Sequence, residues 1–255
     1  RLRAGPEITM PAPAPDAPLW AIGDLHGRAD LARGLVERIL AEPDPGPGGP
    51  LRLVFLGDYI DRGPDAVGTL RLLEETARAG GIEATFLMGN HEAMLLGFLE
   101  DPVREARWLR AGGLATCLSF GVGAYATDSP AELARVRDEL AAAIAPHRAF
   151  LAGLAMRHLS GNVLLAHAGA DPRLPPERQE AATLLWGHPD FERVPRRDGL
   201  WVVHGHRVVD APRMERGRIA LDTGAYVSGC LSAARIGPDG VRFLSETRGR
   251  GGAAG

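Results

Sequence analysis

The sequence contains no lysine, because all 29 of its basic residues are arginine. P-loop NTPases and protein kinases use a lysine on the phosphates of their nucleotide, and Schiff-base enzymes need a lysine amine. The absence of lysine therefore excludes these three classes of enzyme.

The sequence is also poor in cysteine and in long apolar runs. Its two cysteines, Cys117 and Cys230, form neither a CxxC pair nor a metal-ligand spacing, so we expect reduced thiols and a cytoplasmic location. No apolar run approaches the roughly 18 residues that a membrane span requires. The formal net charge of −3 gives no electrostatic reason to expect a nucleic-acid or membrane partner, and the sequence leaves the oligomeric state open.

The chain of 255 residues is long enough for one large domain or two small ones, and no linker divides it. We expect the proline-rich residues 1–18 to be a flexible lead-in and residues 19–247 to be a single domain. Residues 248–255, rich in glycine and arginine, are expected to form a flexible tail. A loop is predicted at 43–50, where proline and glycine dominate.

Short apolar runs alternate with segments of helical spacing in the first two thirds of the chain. Helices are predicted at 28–42, 65–78 and 92–99, and the stretch 102–157 reads mostly as helix with a break at Gly112–Gly113. Strands are predicted at 19–22, 51–56, 84–88, 163–166, 200–203, 218–221, 231–236 and 241–245. Strand–helix alternation followed by consecutive strands indicates a mixed α/β fold.

Five of the apolar runs end in aspartate, asparagine or histidine, usually beside glycine. The clusters are GDLHG at 23–27, GDYIDRG at 57–63, GNHE at 89–92, HAG at 167–169 and HGH at 204–206. Ligand sites of α/β sheets lie beyond the carboxyl ends of the strands, where glycine allows a close backbone approach. Carboxylate, amide and imidazole groups together predict a site for borderline divalent metals.

In this order the five clusters resemble the signatures of the calcineurin-like metallophosphoesterases. GDYIDRG with GNHE resembles more narrowly the PPP-type phosphatases, in particular the small bacterial and phage Ser/Thr protein phosphatases. The resemblance runs from about residue 19 to residue 246. It implies a layered α-β-β-α sandwich of mixed sheets, with the metal site at the carboxyl ends of the strands.

The resemblance also implies two divalent metal ions as cofactors, with manganese favoured and iron or zinc as alternatives. Asp24 and His26 would bind the first ion, and Asp58 would bridge both. The second ion would be bound by Asn90, His167 and His206. A carboxylate bridge is expected on physical grounds as well, because two adjacent cations need an anion between them to offset their repulsion.

The remaining motif residues have implied catalytic roles. His91 resembles the general acid of the family, oriented by Asp61, and Arg62 resembles a phosphate clamp. The substrate would contact Arg62, Asn90 and Tyr226. The implied reaction is hydrolysis of phosphoserine or phosphothreonine in proteins, by direct attack of a hydroxide held between the metals.

Two positions depart from the family pattern. The segment Leu184–Trp186 is commonly followed by a phosphate-binding arginine, but here His188 follows Gly187. His188 is therefore expected in the substrate site, together with Arg207, which stands where the family often has threonine. The arginines that could replace the missing one are Arg193, Arg196 and Arg197.

Three other functions remain as alternatives. The first is hydrolysis of diadenosine tetraphosphate or another small phosphate ester, although Asp61 and Glu92 favour the protein-phosphatase branch. A phosphodiesterase or nuclease is disfavoured, since Val208 occupies the position of a second histidine in those relatives. A scaffold that has lost its site would lack ligands, whereas the full set of motif residues is present.

Overall fold

The computed structural model describes residues 10–42 and 49–248. Residues 1–9 of the predicted lead-in, most of the predicted loop at 43–50, and residues 249–255 of the predicted tail lie outside these ranges. The chain builds two five-stranded sheets with helices. This confirms the α/β class and the mixed sheets that the resemblance implied.

The first sheet carries three parallel strands and an antiparallel hairpin. Its strands are β1 (Leu19–Ile22), β2 (Leu51–Phe55), β3 (Ile82–Phe86), β9 (Cys230–Gly237) and β10 (Gly240–Thr247), in the order β10-β9-β1-β2-β3. β1, β2 and β3 are parallel, and β9 pairs antiparallel to both β1 and β10. The carboxyl ends of β1, β2 and β3 therefore lie along one edge of the sheet.

The second sheet has a parallel centre with antiparallel edges. Its strands are β4 (His158–Ser160), β5 (Val163–Leu165), β6 (Trp201–His204), β7 (Arg213–Glu215) and β8 (Arg218–Ala220), in the order β4-β5-β6-β8-β7. The central strands β5, β6 and β8 run parallel to one another. The edge strands β4 and β7 have no counterpart among the predicted strands, because three-residue strands carry too little periodicity to be recognised.

Alternation along the strands explains how the sheets pack. In β1, Leu19 and Ala21 join an apolar layer with Val163 and Val203 of the second sheet. The alternate residue Trp20 joins the other core, which packs against the helices. Since neighbouring side chains of a strand point to opposite faces, one short run serves both layers.

The helices cover mainly the outer face of the first sheet. They are α1 (Ala29–Leu40), α2 (Ala66–Arg78), α3 (Asn90–Glu100), α4 (Leu114–Ser119), α5 (Pro130–Ala143), α6 (Arg148–Ala152), α7 (Ala181–Trp186) and α8 (Ala225–Ser228). The outer face of the second sheet has only a small cluster of buried apolar residues around Phe191. No helix in the described ranges is both long and apolar enough to cross a membrane.

The stretch 102–157 differs from its prediction as mostly helix. A π-helical turn at Leu109–Gly113 is interrupted by Gly112, whose φ of 133° is outside the helical region, so the predicted glycine break is confirmed. Residues 120–129, however, are not helical, and only α4, α5 and α6 with a short 3-10 turn occupy the rest. Residues 120–129 contain Gly121, whose φ of 73° is outside the helical region, and Gly123, and two glycines so close together disfavour a helix.

Part of the predicted flexible lead-in is fixed to the second sheet. The Asn162 side chain accepts a hydrogen bond from the Ala14 amide at 2.6 Å and donates one to the Ala12 carbonyl at 2.9 Å. The Trp201 indole donates to the Pro11 carbonyl at 2.7 Å. Residues 11–14 therefore run along the sheet, while the division into lead-in, domain and tail stays a prediction.

Candidate metal centre

The predicted ligands from the two sheets meet at one place. Asp58 belongs to two groups of residues whose potential ligand atoms lie within 4.8 Å of one another. The first group is His26, Asp58 and His91, and the second is Asp58, His167 and His206. A carboxylate shared by two groups of imidazoles is the arrangement that a pair of divalent ions needs.

Short contacts connect the members of these groups. The Nε2 atoms of His26 and His167 lie 3.4 Å from opposite oxygens of the Asp58 carboxylate. The Asn90 Oδ1 atom lies 2.9 Å from both His167 Nε2 and His206 Nδ1. The rings of His167 and His206 meet edge to face, with their centroids 5.1 Å apart.

Asp24 completes the predicted ligand set and has an unused oxygen. Its Oδ2 accepts a hydrogen bond from the His206 amide at 2.9 Å. Its Oδ1 is buried and has no hydrogen-bond partner in the part of the chain that the structure describes. A buried carboxylate oxygen without a partner is costly unless a cation or proton binds there, so the donor set fits metal ions.

Strained backbone places several of these side chains. Five of the six non-glycine residues with positive φ in the described ranges lie in the motifs. They are His26 (42°), Asp58 (52°), Asp61 (70°), Arg62 (67°) and His206 (63°). Such conformations cost about 1–3 kcal/mol each and cluster where function fixes the geometry.

Asp61 and His91 form a hydrogen-bonded pair beside the Asp58 carboxylate. The Nδ1 atom of His91 lies 2.7 Å from Asp61 Oδ2, and its Nε2 atom lies 3.9 Å from Asp58 Oδ2. Trp108 Nε1 donates to Asp61 Oδ2 at 2.8 Å, and Thr116 Oγ1 donates to Asp61 Oδ1 at 2.5 Å. The Asp61 carboxylate is thereby held in a single orientation against His91.

The histidines of the cluster divide by their pKa values. Burial lowers the pKa of His26 and of His206 to about 4, so both rings are neutral at pH 7 and can offer a lone pair to a metal. Burial also lowers the pKa of His91, but the Asp58 and Asp61 carboxylates outweigh it and the net shift is upward. His91 therefore holds a proton most readily of the three.

The two central carboxylates shift in opposite directions. Burial would raise the pKa of Asp58, but three surrounding histidines lower it well below its usual range. Burial raises the pKa of Asp24, and the nearby Asp222 and Asp58 raise it further. This crowding of acidic groups is the electrostatic environment that a bound cation relieves.

Glu92 fixes the loop that carries Asp58 and is not directed at the cluster. Its Oε2 accepts from the amides of Asp58 at 2.9 Å and Gly89 at 3.1 Å. Its Oε1 accepts from the amides of Tyr59 at 2.8 Å and Ile60 at 3.2 Å. One buried side chain thus links the first turn of α3 to the end of β2.

Arg62 and Tyr226 lie together at the mouth of the cluster. The Arg62 Nη1 atom is 3.3 Å from His26 Nε2, and its guanidinium lies 5.0 Å from the centre of the Tyr226 ring. The Tyr226 ring meets the His26 ring edge to face at 5.1 Å. The structure therefore brings both predicted substrate residues to the His26 side.

His188 and Arg207 are directed elsewhere. The His188 Nε2 atom lies 3.6 Å from Asp171 Oδ2, and its Nδ1 accepts from the Asp190 amide at 3.2 Å. The Arg207 guanidinium pairs with Glu192 at 2.9 Å and lines a separate cavity. The structure does not bring either side chain into the group around Asp58.

The arginines that could replace the missing one are no closer. Arg196 is buried and binds Asp198, the Asp171 carbonyl and the Leu174 carbonyl, so it anchors a loop. Arg193 and Arg197 are exposed, and none of the contacts described for the chain joins either to the cluster. If a second cationic side chain besides Arg62 binds the substrate, it is therefore none of these arginines.

Sequence reasoning missed the residues that support the site from outside the motifs. Trp108 and Thr116 orient Asp61, while Trp186 lies beside His206 and Arg107 lies over the Trp186 ring. The stretch around Trp108 carries no motif and follows no clear period, so nothing in it indicated a site. The Leu184–Trp186 segment did resemble a family pattern, but that pattern predicted a role for His188 and not for Trp186.

Comparisons with known proteins identify a family. The family model described as calcineurin-like phosphoesterase matches residues 17–218. An asymmetrical bis(5'-nucleosyl)-tetraphosphatase of Bacillus velezensis is 29% identical over 236 residues, which cover 84% of this chain and 87% of that protein. Serine/threonine-protein phosphatase 2 of Salmonella typhimurium is 27% identical over 226 residues, which cover 86% of this chain and 92% of that protein.

The fold is also found among solved structures. A protein serine/threonine phosphatase from Saccharomyces cerevisiae matches with a TM-score of 0.57 and 15% identity, covering 94% of this chain and 82% of that one. At that identity the likeness bears on the fold alone. The family model spans most of the chain and both groups around Asp58, and on that ground the chain belongs to the calcineurin-like phosphoesterases.

Proposed function

We propose that the protein is a metal-dependent phosphomonoesterase that hydrolyses phosphoserine or phosphothreonine in proteins. The observation that carries the proposal is the Asp61–His91 pair, with 2.7 Å between His91 Nδ1 and Asp61 Oδ2, placed beside the shared Asp58. A cationic imidazole facing a cluster of metal-ligating residues is suited to protonate a leaving alkoxide.

The ligand set supports two divalent ions, with manganese first and iron or zinc as alternatives. Asp24 and His26 would hold one ion, Asn90, His167 and His206 the other, and Asp58 both. When bound, two such ions polarise phosphate oxygens and supply an activated water. The absence of thiolates from the set agrees with this choice of metals.

The chain's own groups perform the proton transfer and the binding of substrate. Asp61 accepts the Nδ1 hydrogen of His91, which leaves the Nε2 proton directed towards the cluster. That proton passes to the leaving oxygen of the ester, and Asp61 stabilises the cationic ring beforehand. Arg62, exposed at the mouth, donates to oxygens of the phosphate from the His26 side.

The test of this proposal is turnover of p-nitrophenyl phosphate by the manganese-loaded protein. We expect activity in the wild type and its loss in His91→Ala and Asp58→Ala. An inactive wild type, or full activity in either variant, would contradict the proposal.

A second candidate is hydrolysis of bis(5'-nucleosyl)-tetraphosphates. The observation that favours it is the 29% identity over 236 residues with the tetraphosphatase of Bacillus velezensis. The two candidates are separated by comparing kcat/KM for a phosphothreonine peptide and for diadenosine tetraphosphate. We expect the peptide to be preferred, and a much higher kcat/KM for the dinucleotide would reverse the ranking.

The proposed location is the cytoplasm. Cys117 and Cys230 are both free, and Cys117 is fully buried. Burial raises the pKa of the Cys117 thiol to about 12, so this thiol stays protonated and unreactive at neutral pH. Unpaired thiols are the usual state in a reducing compartment.

A further inference from the structure

Two arginine–aromatic pairs flank the cluster. The pair of Arg62 and Tyr226 belongs to the predicted substrate site, and the other pair does not. Arg62 lies over Tyr226 next to His26. On the other side, the guanidinium of Arg107 lies 5.7 Å from the centre of the Trp186 ring. The Trp186 ring in turn meets the His206 ring edge to face, with centroids 6.5 Å apart.

Trp186 is unusual among the tryptophans of the chain. It is 45% exposed, whereas the other three, Trp20, Trp108 and Trp201, are at most 6% exposed. It is the last residue of α7, and Gly187 follows with a φ of 86° that ends the helix there. A tryptophan ring that is half exposed beside a candidate site can offer an apolar face to a ligand, as tryptophans of binding surfaces do.

Arg107 is held through its neighbour Trp108 and through its own Nε atom, while its terminal nitrogens make no hydrogen bond in the described ranges. Its neighbour Trp108 is fully buried and holds Asp61 through the indole N–H. Its own Nε donates to Glu105 Oε2 at 3.2 Å. Within the described ranges, no hydrogen bond uses its Nη1 or Nη2, and 68% of its side chain is exposed. The guanidinium is therefore oriented in advance of any ligand.

The two arginines lie at different depths. Arg62 Nη1 is 3.3 Å from His26 Nε2, whereas the contact of Arg107 is with Trp186 at 5.7 Å, and it is Trp186 that meets His206, at 6.5 Å. Arg62 therefore serves the phosphate at the cluster, and Arg107 is placed for a group that lies further out on the same molecule.

We propose that Arg107 and Trp186 form an outer anion-binding subsite, which binds a second anionic group carried by the phosphate-ester substrate. The guanidinium would pair with a carboxylate or a second phosphate, and Trp186 would hold the guanidinium in place by a cation–π contact. The proposal rests on the proposed function, because it assumes that the first phosphate binds at the cluster.

The direct test is calorimetric binding to the manganese-loaded protein with two matched ligands, hexylphosphonate and 6-phosphonohexanoate, whose chains are long enough to extend from the cluster past Trp186. Both carry one phosphonate, and only the second carries a carboxylate. We expect the wild type to bind 6-phosphonohexanoate about 10-fold more tightly, as one charge-assisted hydrogen bond allows. Arg107→Ala should lower this ratio to about 1, and Arg107→Lys should retain part of it.

The control is Arg104→Ala, which removes an arginine three residues away that is 82% exposed and, among the described residues, pairs only with Glu105 at 4.0 Å. This variant should keep the wild-type ratio. Equal binding of the two ligands by the wild type would overturn the outer subsite, as would an unchanged ratio in Arg107→Ala. An equal loss of both ligands in Arg107→Ala would also overturn it, since Arg107 would then contact the phosphonate at the cluster.

Hydrolysis separates this proposal from the proposed function and identifies the source of the second anion. If the wild type prefers the ligand that carries a carboxylate but does not hydrolyse p-nitrophenyl phosphate, the proposed function is refuted and the subsite is still supported. For the active protein, kcat/KM of Arg107→Ala is compared on a phosphothreonine peptide with a neighbouring glutamate and on diadenosine tetraphosphate. A fall of about 10-fold on one of them identifies an acidic side chain or a polyphosphate as the group bound, and no fall on either would overturn the subsite.

Discussion

At the scale of single residues, the environment of each imidazole decides what it can do. His26, His91 and His206 belong to one cluster, yet burial lowers the pKa of His26 and His206 to about 4 while two carboxylates raise that of His91. Neutral rings suit metal ligation, and a protonated ring suits proton donation. The same side chain therefore divides between two tasks according to its neighbours.

Asp61→Asn tests whether the carboxylate sustains the acid. The amide occupies the same volume but cannot stabilise the cationic form of His91, so we expect kcat for p-nitrophenyl phosphate to fall about 100-fold. Metal content, measured on the same preparations, should stay at the wild-type level. Trp108→Phe is the matched control, because it removes one hydrogen bond to Asp61 and leaves the charge, and it should cost much less activity.

Glu92→Gln tests a residue that acts on backbone alone. The four amides that bind Glu92 need two acceptor oxygens, and glutamine replaces one of these with a donor. We expect the free energy of unfolding in urea, without metal, to fall by about 2–4 kcal/mol. Glu100→Gln, at the exposed end of the same helix, should be neutral, and equal stability of the two variants would contradict the account of Glu92.

At the scale of elements, the strand ends do the positioning. Each of β1, β2 and β6 ends in a sharp turn. The parallel strands of each sheet finish at one edge, and side chains from the two edges meet at Asp58. Short apolar runs predicted these strands to within a few residues. They did not predict the π-helical turn that follows Trp108, or the contact of Trp108 with Asp61, because these depend on contacts between segments distant in sequence.

Gly205→Ala tests how closely the end of β6 approaches Asp24. A Cβ at this position would lie 1.9 Å from Asp24 Oδ1, while the backbone φ of Gly205 is itself compatible with alanine. We expect the affinity for Mn²⁺, measured by calorimetry, to fall by about 10–100-fold as Asp24 is displaced. Gly80→Ala meets no atom within 4 Å and should bind as the wild type does. Unchanged affinity in Gly205→Ala would remove Asp24 from the ligand set.

At the scale of the whole molecule, the cluster joins the two sheets. His26, Asp58 and Asn90 follow strands of the first sheet, whereas His167 and His206 follow strands of the second. Metal ions bound here would link two halves of the fold that also meet through apolar packing and through the hydrogen bond from the His206 amide to Asp24. Because the ions would bind the folded state and not the unfolded chain, their binding should raise the free energy of unfolding.

Addition of Mn²⁺ to the metal-free protein should raise its melting temperature. At a free concentration 100 times the dissociation constant, the gain is about 2.7 kcal/mol, or about 5–10 °C for a chain of this size. Asp58→Asn should lose most of the increase, since Asp58 belongs to both ligand groups. The control is Asp138→Asn, whose side chain is 70% exposed, and it should respond like the wild type. An equal increase in Asp58→Asn would contradict a shared carboxylate.

By itself, the sequence determined the class of fold and which residue types gather at the strand ends. Strand periodicity and compact motifs are local, so Asp24, His26, Asp58 and the other motif residues could be read directly. The tertiary structure decided where the arginines lie: it placed Arg62 beside His26, Arg107 over the Trp186 ring, and Arg196 on the Asp171 carbonyl. Arginine is long and abundant in this lysine-free chain, and its position in sequence says little about where the guanidinium lies. Only the packing of Trp186 against His206 and of Trp108 against Asp61 fixes that placement.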